Sequence, residues 1–110
     1  MSLEVARTIL EQLGGQKRLV VMTGAKNFVG GLNSVSFRLG QGAKNKINAV
    51  RIELSPDDTY KVDFMNIRGT TIKQVASHEG VYADSLPDIF ENDTGFYLSL
   101  APGDGAVFGR

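Results

Sequence analysis

INAVRIELSPDDTYKVDFMNIR, residues 47–68, is the stretch whose reading decides the fold. Asn48, Val50, Ile52 and Leu54 alternate with Ala49, Arg51 and Glu53; Tyr60, Val62 and Phe64 alternate with Lys61, Asp63 and Met65. This two-residue period, rich in β-branched and aromatic residues, predicts two half-buried strands. Between them Ser55-Pro56-Asp57-Asp58-Thr59 supplies turn chemistry, so the strands form a hairpin. Side chains facing one side must lie opposite one another, and pairing Leu54 with Tyr60 achieves this. Ile52 then faces Val62 and Val50 faces Phe64 on the inner side; outside, Arg51 faces Asp63 and Glu53 faces Lys61. A one-residue slip would lose both charge pairs and mix the two faces. Farther from the turn the outer face becomes apolar, with Ala49 opposite Met65 and Ile47 opposite Ile67. The patch Ile47, Ala49, Met65 and Ile67 is therefore either covered by a helix or a surface for self-association or a protein partner.

Working outward, Leu3, Ala6, Ile9, Leu10 and Leu13 recur at helical spacing behind Ser2, a candidate N-cap, and stop at Gly14-Gly15. Residues 3–13 are predicted to be a helix. The β-branched run Arg18–Met22 and the alternating Ser34–Leu39 read as strands, separated by a glycine-rich loop over 23–31. Residues 40–46 read as a flexible connection, and Thr70–Ala76 as a further strand. Ser85-Leu86-Pro87-Asp88 opens a short helix near 85–92, closed by Gly95; Phe96–Leu100 reads as a last strand. The expected fold is α+β: a four- to five-stranded, mostly antiparallel sheet with the N-terminal helix and the short C-terminal helix packed on it. Residues 1–100 form one domain in this reading, and the Gly-rich segment 101–110 a mobile tail or peripheral arm.

Composition narrows the chemistry. A chain of 110 residues, 42% apolar, fits a single globular core. With no cysteine and one histidine, disulfides, thiolate nucleophiles and Cys/His zinc sites within one chain are excluded. No long apolar run predicts a membrane span. The N-terminus carries Glu4 and Glu11 and lacks the order of a secretion signal, so cytoplasmic residence is expected. The net charge of zero hides a division: residues 1–51 carry +6 and residues 52–110 carry −6. The ordinary expectation is that the halves neutralise one another on folding; the alternative is a basic face for an anionic partner.

Each chemical motif has a plainer structural reading beside it. Asp93-Thr94-Gly95 matches the aspartic-protease triplet, but Glu91-Asn92 precede it where that site needs an apolar strand, so a helix terminus is the better reading. Thr23-Gly24-Ala25-Lys26-Asn27 follows an expected strand and offers amides and a lysine to an anion, yet lacks the spacing of a nucleotide-binding loop. His78-Glu79 is a candidate base and orienter without an identifiable nucleophile. No catalytic residue, metal ligand or cofactor is therefore assigned. Lys44-Asn45-Lys46, with Lys17-Arg18, Lys26, Arg38 and Arg51, could line a phosphate-binding surface, with Phe28 or Phe37 stacking on bases; of these Lys26, Lys44, Lys46 and Arg51 are the candidate anion or nucleic-acid contacts.

Met22-Thr23-Gly24-Ala25-Lys26-Asn27-Phe28, Lys46–Val50, Asp58-Thr59-Tyr60, His78–Leu86 and Thr94–Tyr97 together resemble a group of small bacteriophage and bacterial mobile-element proteins that carry no assigned activity. The likeness spans residues ~3–100. It implies a phage or mobile-element origin and transfers no site residue. The leading expectation is an accessory protein that acts by binding, to a protein partner or to itself. Single-stranded nucleic-acid binding through the basic N-terminal half is the alternative, and a small hydrolase built on His78, Glu79 or Asp93 a remote third.

Overall fold

The computed structural model describes residues 3–96 and 98, and the hairpin lies at the centre of a five-stranded antiparallel sheet. Two helices lead in, α1 (Glu4–Gln12) and α2 (Gln16–Thr23), followed by β1 (Lys26–Gly30) and β2 (Ser34–Arg38). A 3-10 turn at Lys44–Lys46 precedes β3 (Ala49–Leu54), β4 (Tyr60–Arg68) and β5 (Thr71–Val81). A second 3-10 turn, Ala83–Ser85, opens α3 (Leu86–Thr94). The strands lie in chain order, each paired with the next, so the sheet is a meander. Fold class, helices at both ends and antiparallel sheet are as expected from sequence.

The hairpin register is the predicted one from Leu54–Tyr60 to Ala49–Met65. Its inner residues Val50, Ile52, Val62 and Phe64 are each at most 1% exposed. Beyond Ala49 the ladder departs from expectation. The Asn48 carboxamide replaces the next residue pair: its Oδ1 accepts from Ile67 N–H at 2.8 Å and its Nδ2 donates to the Ile67 carbonyl at 2.9 Å. Ile67 instead pairs with Ile72 of β5. Ile47 thereby leaves the outer face and enters the core, 2% exposed.

All three helices contribute to the cluster on the inner face. Ile9 of α1 and Leu13 at its C-cap, Leu19 of α2, and Leu86 and Phe90 of α3 join Val35, Phe37 and Phe64 there. Phe90 is the keystone, its ring 6.4 Å from Phe37 and 6.3 Å from Phe64. α1 crosses the edge strand at Gly30, where a Cβ would lie 2.9 Å from Leu3 Cδ2 and 3.2 Å from Ala6 Cβ. Helix α3 begins with Pro87 in its first turn and ends at Gly95 in the left-handed region, so Asp93-Thr94-Gly95 is a helix terminus. Ser85 occupies the N-cap position of α3 without a side-chain bond, and Leu3 holds that position in α1, Ser2 lying outside the described residues.

Three local expectations are corrected. Arg18–Met22 is helical: Leu19 and Thr23, four residues apart, are buried, whereas Val20 and Val21 are exposed. A strand there would bury alternate residues; the helical stripe prevails because it sends Leu19 and Thr23 together into the core, and Gly24 in the left-handed region closes the helix ahead of β1. Lys26–Gly30, expected as loop, is an edge strand, because the open edge of β2 offers backbone partners regardless of side chain. A bulge between Lys26 and Val29 absorbs Asn27 at φ 57°. β5 runs on to Val81, placing His78 and Glu79 on a strand. Of the expected strand 96–100, Phe96 and Leu98 show no regular structure and the rest, like the tail 101–110, lies outside the described residues. No helix among the described residues is long and apolar enough to cross a membrane.

Candidate functional site

One end of the sheet gathers the starts of β1, β3 and β5 with the ends of β2 and β4. There the chain leaves two adjoining depressions, of about 620 and 710 Å³, which share Lys46, Asn66 and Arg68. Lys26 and Arg38 line the first, Lys73 the second. The groove therefore presents five cationic side chains and, among the described residues, no carboxylate. In a chain of zero net charge this is a segregated field, not a surface average. Asn27, Gln41, Asn45 and Gln74 add carboxamides to the lining.

Local structure explains the gathering. Lys26 and Arg38 are cross-strand partners on β1 and β2. Asn45 and Lys46 both adopt positive φ, 56° and 60°, which turns the chain sharply into β3. Consecutive non-glycine residues in this region are strained, and such strain concentrates at functional sites. The Asn66 carboxamide secures the turn by donating to the Lys46 carbonyl. The wall at Gly40 stands against Gly24: the Gly40 N–H donates to the Thr23 carbonyl at 2.9 Å, and a Cβ on Gly24 would lie 3.0 Å from Gly40 Cα.

The acidic residues of the hairpin turn, Asp57 and Asp58, sit at the opposite end of β3 and β4, ~20 Å away at the usual rise per residue. The Thr59 hydroxyl, donating to Asp57 at 2.6 Å, and then the Thr59 N–H hold the Asp57 carboxyl below the usual range. Burial, with a contribution from Asp58, pushes the Tyr60 hydroxyl up. The sheet is thus polarised along its strands, basic at the groove and acidic at the turn.

The four candidate anion contacts divide evenly. Lys26 and Lys46 line the groove; Lys44 and Arg51 have other tasks. Lys44 lays its stem over Gly95 and donates from Nζ to the Asn92 carbonyl at 3.2 Å, capping the C-terminal end of α3. Arg51 turns along its own strand to Glu53, 3.1 Å away, while its ladder partner Asp63 accepts from the Ser77 hydroxyl. The register that places Arg51 opposite Asp63 holds, but the ion pair forms two residues along the strand. Arg38 was among the cations expected to line such a surface and does so; Arg68 and Lys73 were not. Arg38 carried a signal, as a polar residue at the end of an alternating strand; Arg68 and Lys73 enter only through the turn joining β4 to β5.

The expected apolar patch is also redrawn. Ile47 belongs to the core and Ala49, 3% exposed, is buried beneath its neighbours; Met65 and Ile67 remain partly exposed on the outer face, joined by Val29 and Ile72, 62% and 64% exposed. With Ser36 and Arg51 they line a shallow depression of about 340 Å³ that also contains Arg38 and Asn27, both part of the cationic groove. The helices supply their buried residues to the opposite face. Phe28 and Phe37, considered for base stacking, pack on each other at 5.3 Å on that inner side.

His78 and Asp93 do meet, Nε2 to Oδ2 at 2.6 Å, with the imidazole edge-on to Phe64. The pair ties β5 to the last turn of α3. Glu79 is the next residue along the strand and so lies on the other face, and no described hydroxyl is hydrogen-bonded to His78. Among the described residues no cluster of three His, Asp or Glu is placed to hold a metal ion. Comparison of the chain with protein-family models, curated proteins and solved structures finds no match.

Proposed function

We propose that this chain is an accessory binding protein, of the phage or mobile-element kind its sequence resembles, whose ligand is a phosphate-rich polyanion held at the end of the sheet. The observation that carries the proposal is the groove of Lys26, Arg38, Lys46, Arg68 and Lys73, from which described carboxylates are absent. Clustered like charges repel one another and contribute nothing to folding, so their gathering around a concave surface is best accounted for by a ligand of opposite sign. Phosphates suit the lining: lysine offers point charges, arginine a planar fork, and the carboxamides neutral donors.

The direct experiment is competition between inorganic polyphosphate and polyglutamate of matched charge for the protein at low salt. Polyphosphate is expected to bind in the micromolar range and polyglutamate more weakly, because the carboxylates of polyglutamate sit on flexible side chains that lose rotamer freedom when they are held. Lys46→Asn with Arg68→Gln should weaken polyphosphate binding at least tenfold; Asn is chosen because it tolerates the positive φ of position 46. Unchanged affinity in that variant would sink the proposal.

A further inference from the structure

We infer that the polyanion is a single-stranded nucleic acid, with phosphates in the cationic groove and bases on the apolar outer face. The inference rests on the groove being a polyanion site and goes beyond it by naming the second surface the ligand uses. Arg38 and Asn27 belong both to the groove and to the depression floored by Ala49, Met65, Ile67 and Ile72, so the two are one continuous surface. A ligand filling both must carry regularly spaced negative charges beside apolar plates. A duplex keeps its base faces stacked inside and offers only base edges in its grooves; polyphosphate has no apolar part. A single strand has both.

Dimensions and side chains agree with that occupant. Five strands at the usual spacing span ~19 Å, room for on the order of four nucleotides, the lower end of single-strand site sizes. Val29 and Ile72, each more than 60% exposed, flank the strip on β1 and β5, and Met65 and Ile67 lie between them. Aliphatic contact reads no base identity, so binding is sequence-tolerant. Arg38 supplies a guanidinium plane at the junction of strip and groove, able to stack on a base while its charge faces a phosphate. Asn27, Gln41, Asn45 and Gln74 lie within reach of exposed base edges along the rim.

The test measures fluorescence anisotropy of a labelled twelve-nucleotide single strand and of its duplex against the full chain, with unlabelled inorganic polyphosphate as competitor. The parent protein is expected to prefer the single strand about tenfold, the effect of burying roughly 50–60 Å² of apolar base and side-chain surface that a duplex keeps stacked inside. Val29→Ser with Ile72→Ser, two exposed positions where a polar residue does not disturb the core, should abolish the preference and leave polyphosphate competition unchanged. Polyphosphate binding with equal affinity for strand and duplex overturns this inference alone. Failure to bind polyphosphate or either oligonucleotide overturns the groove reading together with it. A parent dimer that the serine variant converts to monomer makes the face a protein interface and also overturns the inference.

Discussion

Salt dependence gives the sharpest handle on the groove. Each phosphate neutralised on a single strand contributes about −0.7 to the slope of log K against log salt. Five cations, Lys26, Arg38, Lys46, Arg68 and Lys73, therefore set a limiting slope near −3.5, a loss of roughly a hundredfold in affinity between 50 and 200 mM salt. Replacing Lys46 by Asn and Arg68 by Gln leaves three cations and a slope near −2.1, so the same change of salt costs only about twentyfold. The assay is anisotropy of a labelled single strand titrated at several salt concentrations, the slopes being compared instead of single affinities. Lys44→Ala is the internal control: its Nζ is engaged by the Asn92 carbonyl and it lines neither the groove nor the outer depression, so the slope should stay as it is. A slope reduced as much by Lys44→Ala as by the groove variant would refute the placement of the site.

Three further predictions concern the scaffold. Phe90→Ala removes the ring that bridges Phe37 and Phe64 and should destabilise the protein by about 3–5 kcal/mol in urea unfolding; a cost under ~1 kcal/mol would mean that α3 does not close the core. Gly24→Ala adds a Cβ at φ 71° and 3.0 Å from backbone at Gly40, which has no flexible end to yield, so a loss above ~1 kcal/mol is expected in the same assay. The Thr59 contacts lower the Asp57 pKa in the folded state, so their stabilisation is present above the ordinary value of 3.8 and lost as pH falls through the lower folded value. The difference in Tm between parent and Thr59→Val should therefore hold steady from pH 7 to about 5 and close only in acid below that; a gap that shrinks between pH 7 and 5 would contradict it.

The site was only half legible beforehand. Lys26 and Lys46 stand in glycine- and asparagine-rich connections, where charge is exposed by default. Lys44 and Arg51 were equally good candidates by type and lie as near in sequence. What separates them is which carbonyl or carboxylate each side chain meets after folding: the end of α3 for Lys44, 48 residues from its partner carbonyl, and Glu53 for Arg51. Arg68 and Lys73 sit in the acidic half of the chain, so reasoning from charge by halves passes over them. The two halves do not simply cancel, because the meander places the basic ends of five strands side by side.

By itself the sequence determined the central hairpin, its register from Ala49–Met65 to Leu54–Tyr60, the flanking helices α1 and α3, and the α+β class. These follow from contacts between near neighbours in the chain and from a hydrophobic period that only one register can bury. Only the tertiary structure decided that Arg18–Met22 is helical, that Lys26–Gly30 completes the sheet, and that the Asn48 carboxamide sends Ile47 inward. The physical reason is common to all three: a backbone edge or a buried face elsewhere in the molecule supplied the partner, and the free energy of satisfying it exceeds the few tenths of a kcal/mol by which local propensities differ. The boundary drawn first between a charged and an apolar half of the outer hairpin face persists, with Ile72 and Val29 in place of Ile47 and the cationic groove along its border.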